Sequence, residues 1–212
     1  MKAALVVFLG TNCEVETKAA LEACLFECDY VDSNTCDLLG YDCVFLCGGF
    51  SYGDYIRSGR LAKFTPVIGA LKKYIEAQRG VVVGICNGFQ ILCEAHFLKG
   101  ALLENNSSRF ICKNTPLRLE FSGIKKDISL QIAHREGKYV CGKKDFDEVK
   151  SMAFLKYIDN PNGSYFNIAG LYDKERRIMG LMPHPERCFF ANCFGFDGRE
   201  IFKIIKDEIK RG

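Results

Sequence analysis

The sequence predicts an α/β fold in which a mostly parallel central sheet carries helices on both faces and a small antiparallel hairpin region is attached. Three observations predict it. Short runs rich in β-branched residues alternate with longer stretches whose apolar residues recur at helical spacing. The early runs are apolar throughout rather than alternating, as strands covered on both faces must be. Beyond Asn105-Asn106-Ser107-Ser108 the runs become short and are separated by polar turns, as antiparallel hairpins are.

The elements follow in order. Ala3–Leu9 reads as a first buried strand. A single lysine precedes it, but the apolar run gives way to Thr11-Asn12-Cys13-Glu14 without a small-x-small cleavage site. It also falls well short of the ~20 residues that a membrane span needs. Val15–Phe26 has helical spacing, Asp29–Val31, Asp42–Cys47 and Val81–Ile85 are strands, and a helix follows Cys86. Ile111–Lys113, Leu117–Phe121, Ser129–Ala133 and Lys138–Cys141 are short strands with a tight bend at Gly137. Ile168–Tyr172 and Ile178–Met182 form a pair joined by the charged turn Asp173-Lys174-Glu175-Arg176-Arg177. Asp197–Lys210 places Ile201, Ile204, Ile205 and Ile209 on one face of a closing amphipathic helix. With no repeat, low-complexity tract or linker, the 212 residues read as one domain, 1–212.

The net charge is +3 and the basic residues are dispersed, so neither a nucleic-acid stripe nor a membrane-binding face is expected. The twelve cysteines are scattered, several inside apolar runs, and with no export signal they read as reduced thiols of a cytoplasmic protein. No metal site is expected. There is no CxxC pair, the Cys24/Cys28 spacing fits one helix face, and His96, His134 and His184 are the only histidines.

Chemistry concentrates at Val81–Leu92, VVVGICNGFQIL, where a strand enters a helix through G-x-C-x-G. Such a turn is sharp enough to strain the backbone of Cys86 and to hold its thiol above the end of the sheet, with Gly84 and Gly88 leaving room for the crossing strand and helix. The helix N-terminus there favours an anion, and the Asn87 N–H is placed as an oxyanion donor. The alternative is a buried core thiol.

A nucleophile needs a base. His96 sits about ten residues along the same helix, roughly 15 Å away, which is too far. His134 precedes Arg135-Glu136-Gly137 in a hairpin. His184, in Met182-Pro183-His184-Pro185-Glu186, has a carboxylate two residues on, and the flanking prolines favour an extended chain that points both side chains to one side. A surface turn histidine is the other reading of it. A second glycine loop, Cys47-Gly48-Gly49-Phe50-Ser51-Tyr52-Gly53-Asp54-Tyr55, ends the Asp42–Cys47 strand and shares the rim of Cys86 in a parallel sheet. It lacks the phosphate-loop pattern, and one of its backbone N–H groups is a second oxyanion donor.

GICNGFQIL with PHPE about a hundred positions later resembles the class I (triad) glutamine amidotransferases, built on a flavodoxin-like sheet. Within them, GGFSYGDYIRSG, CNGFQIL, FICKN, AHREG and GLMPHPER look like the glutaminase-subunit branch of phosphoribosylformylglycinamidine synthase, the PurQ type. The resemblance implies Cys86 as nucleophile, His184 as base and acid, and Glu186 as the orienting carboxylate. It implies an oxyanion hole from the Gly48, Gly49 and Phe50 backbone and Asn87, with Gln90, His134 and Gly137 helping to hold glutamine. No cofactor is implied in this chain. ATP and magnesium are expected on a separate large synthetase subunit (PurL type), with a small third subunit (PurS type), and the aromatic loop with Arg57 as part of that interface. Arg135 and Asn114 depart from the pattern, and Cys188–Phe196 is unusual. Another amidotransferase branch or a DJ-1/PfpI-type cysteine hydrolase is the rival; in the latter a histidine follows the cysteine, where this chain has Asn87.

Overall fold

The apolar run after Met1 forms β1 (Lys2–Val7), and α1 (Glu14–Ala23) carries the chain to β2 (Glu27–Asp32) and β3 (Cys43–Leu46). Helix α2 (Pro66–Glu76) opens on a proline, whose missing N–H costs nothing at a first helical position. Strand β4 (Val81–Ile85) then runs into α3 (Asn87–Glu94). The remainder is β5 (Ala101–Leu103), β6 (Ile111–Phe121), β7 (Ile124–His134), β8 (Lys138–Val140), α4 (Phe146–Met152), β9 (Ala153–Tyr157), β10 (Ile168–Asp173), β11 (Ile178–Leu181) and α5 (Gly198–Lys210). The computed structural model describes residues 1–191 and 195–211, so Cys193 and the middle of the Cys188–Phe196 segment lie outside the described residues.

Nine strands form one sheet in the order β2-β1-β3-β4-β11-β10-β9-β6-β7, and β5 pairs with β8 in a separate antiparallel ladder. From β2 to β11 every neighbour is parallel. Beyond β11 every neighbour is antiparallel, so the hairpin region continues the main sheet. The expected pieces Ile111–Lys113 and Leu117–Phe121 are one strand. Its first four residues stay at or near the surface and carry no apolar pattern, whereas from Thr115 to Phe121 alternate residues are buried. Helices α2 and α4 and strands β5 and β9 had no counterpart among the expected elements.

Two packing contacts set the layers. Leu46, Gly84 and Gly180 lie in one row across β3, β4 and β11. A Cβ on Gly84 would come 2.6 Å from Gly88 and Leu92, and one on Gly180 would come 2.2 Å from the Phe89 ring. The two glycines therefore make a flat seat on which α3 rests its backbone and Phe89. Phe45, one residue before Leu46, points to the opposite face, where it stacks on Phe202 of α5 with centroids 6.5 Å apart. The seat fixes where α3 begins, and with it the height of Cys86.

Chain direction reverses around β1: the first connection steps outward to β2, the later ones inward to β3 and β4. The loops after β1 and β3 diverge at such a switch point and leave a crevice beyond the carboxyl ends of the strands.

Candidate active site

Cys86 occupies the single residue between β4 and α3 with φ 50° and ψ −103°. An L-residue there stores strain of about 1–3 kcal/mol. The conformation is held by its own N–H, which donates to the Leu181 carbonyl at 2.7 Å, and by the α3 seat. The thiol is nearly buried, 3.8 Å from the Ala133 carbonyl oxygen.

His184 reaches it from the far side. The chain leaves β11 and its His184 N–H donates to the Gln131 carbonyl of β7 at 2.8 Å, so the antiparallel hairpin pins the histidine in place. Its Nδ1 lies 2.6 Å from Glu186 Oε1, and both side chains are buried. The local geometry differs from the extended Pro-His-Pro-Glu expected above. Pro185 is helical (φ −67°, ψ −29°) and opens a short 3₁₀ turn over Glu186–Cys188, so the carboxylate reaches back to the ring through the turn. Burial opposes a charge on His184, but the Glu186 carboxylate and then the Cys86 and Cys13 thiols outweigh it and hold the imidazole well above its ordinary pKa. Its Nε2 is buried without a fixed partner.

The glycine loop is bonded to the segment after β1. Phe50 N–H donates to Gly10 O at 2.9 Å and Asn12 N–H to Gly48 O at 3.3 Å. Thr11 and Gly49 are thus a non-hydrogen-bonded antiparallel pair, which leaves the Gly49 N–H outside the ladder. A Cβ on Gly49, at φ +149°, would come 2.7 Å from Thr11 Cα. Of the three expected loop donors, the Phe50 amide is already committed to Gly10, and the Gly49 N–H points out of the ladder. Asn87, at the first position of α3, has a backbone N–H with no intrahelical partner. Its side chain accepts from Ser51 N–H (3.1 Å) and donates to Gln90 Oε1 (2.9 Å), tying loop to helix.

Two adjoining clefts open on the thiol. One, of about 300 Å³, is lined by Gly49, Asp54, Cys86, Gln90, His134 and Glu136 among others. The second, of about 240 Å³, is lined by Asn12, Cys13, Cys86, Cys112, His184 and Arg187 among others. A larger groove of about 640 Å³ between α2 and the end of α3 includes His96 and none of these groups.

The sequence model of the CobB/CobQ-like glutamine amidotransferase domain matches residues 1–194. The chain belongs to this amidotransferase family. It is 42% identical to a protein named phosphoribosylformylglycinamidine synthase subunit PurQ from Lacticaseibacillus paracasei, over 97% of this chain and 94% of that one. It is 41% identical to one of the same name from Prochlorococcus marinus, over 97% and 99%. The solved structure of PurLQS from Thermotoga maritima superposes with a TM-score of 0.89 at 39% identity, over 97% of each chain.

In this amidotransferase, Gln90 spans the cleft wall by donating to the Glu136 carbonyl at 2.6 Å. His134 lines the cleft with both ring nitrogens buried and unpartnered. Burial, reinforced by the nearby His184, lowers its pKa to about 4. Gly137 is set back: its N–H donates to Asn105, its carbonyl accepts from Asn162, and a Cβ there would strike the His134 ring at 2.2 Å. It makes room for His134 and does not line the cleft. Arg57, partly exposed, is bonded with Arg60 to the buried Glu94. Arg135 is exposed and bridged to Glu104.

Sequence reading missed Cys13. Its thiol accepts from Arg187 at 3.2 Å, and one donor atom each from Cys13, His184 and Glu186 lies within 4.8 Å of the others. The signal was available: Thr11-Asn12-Cys13 follows the first strand, at the switch point. His184 and Glu186 are engaged with each other, and the Arg187 guanidinium faces the thiol. Among the described residues, all eleven cysteines are free thiols.

Proposed function

We propose that this chain is the glutaminase subunit of phosphoribosylformylglycinamidine synthase, acting in de novo purine biosynthesis. The observation that carries the reading is the meeting of Cys86 with the buried His184–Glu186 pair, three residues supplied by the ends of two neighbouring parallel strands. The likeness to the PurQ-named relatives and to the PurLQS structure supports the choice of acceptor.

The Cys86 thiolate attacks the side-chain amide carbon of glutamine. The oxyanion is held by the N–H groups of Asn87 and Gly49; loss of one such donor costs about 10²–10³ in rate. His184, protonated and paired with Glu186, gives its proton to the departing nitrogen, which leaves as ammonia with a glutamyl thioester behind. The neutral His184 then takes a proton from water, which attacks the thioester and releases glutamate. Gln90 and His134 bound the space that holds the amino acid.

Ammonia passes to a large PurL-type synthetase subunit, assembled with a small PurS-type subunit, which converts formylglycinamide ribonucleotide to formylglycinamidine ribonucleotide. ATP and magnesium act on that partner, and the glutaminase half needs no cofactor of its own. The complex works in the cytoplasm. Among the described residues, no helix is long and apolar enough to cross a membrane.

The test is Cys86→Ala in the assembled complex. Glutamine-dependent synthesis falls by roughly 10³-fold or more, while synthesis from added ammonium salt persists. Wild-type-like glutamate release by that variant refutes the reading.

A further inference from the structure

Cys13 has no part in the glutaminase chemistry set out above, yet its thiol shares the site. It stands at the start of α1, 1% exposed, and lines the 240 Å³ cleft together with Cys86, His184 and Arg187. Gly48 backs the thiol and the imidazole at once: a Cβ there would come 3.0 Å from His184 Cε1 and 3.2 Å from Cys13 Sγ. Cys13 and Cys86 both stand close enough to the His184 ring to favour its proton. Two thiols from distant segments therefore flank one imidazole.

The ring is oriented as a ligand. Glu186 takes Nδ1 at 2.6 Å, which leaves Nε2 as the free nitrogen, and that atom is buried without a hydrogen-bond partner. A carboxylate behind a histidine is the arrangement that orients a metal-bound imidazole and raises its basicity. One donor atom each from Cys13, His184 and Glu186 already lies within 4.8 Å of the others. Sulfur and nitrogen ligands around one zinc ion sit about 3.5 Å apart, a gap that small side-chain rotations close. The charges balance as well. Two thiolates neutralise a divalent ion, and the Glu186 carboxylate is offset by Arg187, whose guanidinium donates to Cys13 Sγ at 3.2 Å.

We propose that Cys13, Cys86 and His184 form a three-ligand zinc site whose occupation silences the nucleophile. On binding, two protons leave, one from Cys13 and one shared by Cys86 and His184 Nε2, so affinity falls as pH falls. The fourth position faces the cleft. Two sulfurs and a nitrogen suit zinc and not magnesium, which demands oxygen ligands, so magnesium does not compete for the site. Metal binding stands on the ligand geometry alone; that it stops glutamine use rests on the glutaminase reading of Cys86.

The experiment titrates the reduced full chain with Co²⁺ as a spectroscopic probe and then displaces it with Zn²⁺. The wild type gives a tetrahedral cobalt spectrum with a thiolate-to-cobalt charge-transfer band. Cys13→Ser and Cys86→Ala each weaken binding by roughly 10-fold or more, and Glu186→Gln, which frees the ring, by roughly 10- to 100-fold. The two cysteine variants lie in different segments, so one serves should the other fold poorly. Cys112→Ser, which removes a third thiol lining the same cleft, leaves the band in place. In the assembled complex Zn²⁺ abolishes glutamine-dependent synthesis and spares synthesis from added ammonium salt, and Cys13→Ser needs roughly tenfold more zinc for the same loss. A cobalt spectrum without the thiolate band, or one that persists in both cysteine variants, overturns the site. Equal zinc sensitivity of Cys13→Ser and wild type overturns it too. Metal bound through both thiols in a complex that still uses glutamine overturns the glutaminase reading of Cys86 and leaves the metal site standing.

Discussion

At Cys86 a left-handed backbone, a buried imidazole and a helix N-terminus converge on one sulfur atom. The flanking glycines that make this turn were visible in the sequence, because the steric demand is local. The partner was less visible. His134 and His184 both end near the thiol, and only their surroundings separate them: one is paired with a carboxylate, the other is buried without a hydrogen-bond partner and held neutral.

That difference has opposite consequences for stability. His184, raised, stabilises the fold fully below an unfolded value near 6.5 and loses that contribution as pH rises through its folded value. His134, lowered to about 4, does the reverse. The unfolded chain takes up its proton near pH 6.5 while the folded one refuses it, so stability drains between about pH 6.5 and pH 4, by about 3 kcal/mol in all. In His134→Gln, the difference in urea-unfolding free energy between about pH 7 and about pH 4 shrinks by about that amount. An undiminished difference means His134 titrates normally in the fold.

Among the elements, α3 does the most positioning. It rests on Gly84 and Gly180, presents Asn87 and Gln90 at its start, and near its end binds the loop that follows β3 through Glu94 to Arg57 and Arg60. The start of α3 was legible from G-x-C-x-G, whereas Gly180 looked like any residue of a late strand until β11 was seen beside β4. Glu94 is 6% exposed but its arginines are more than a third exposed, so Glu94→Gln costs a modest 1–2 kcal/mol or about that. The sharper readout is local. Trypsin cuts the variant after Arg57 and Arg60 faster than the wild type under native conditions, while the overall unfolding midpoint moves only slightly. Equal cleavage rates mean the loop is held by other contacts.

For the whole molecule, the parallel half of the sheet presents the nucleophile and the glycine loop, and the antiparallel half presents His134 and pins His184 through Gln131. On the outside of the glycine loop Tyr55 is 73% and Ile56 80% exposed. Side chains of that size, held out beside the active-site rim, fit the surface that meets the synthetase. Ile56→Asp weakens assembly with the large subunit by roughly tenfold or more, as loss of a buried apolar anchor does, measured by sedimentation or light scattering. The variant chain alone keeps its unfolding midpoint. Unchanged assembly places the interface elsewhere.

The sequence by itself determined the types of most elements, the α/β class, the elbow at Cys86 and the candidate partners His184 and Glu186. These follow from periodicity, glycine spacing and the closeness of a carboxylate to a histidine in the chain, which act within a few residues; the extended path inferred from the prolines gave way to a 3₁₀ turn at Pro185. Tertiary structure alone decided that the hairpins extend the main sheet, that Gly49 rather than Phe50 keeps a spare N–H, that Gly137 serves His134 from behind, and that Asp54 and Glu136 face one cleft. These depend on register and on contacts between segments far apart in the chain, where each donor or charge finds its partner only after the strands have taken their order.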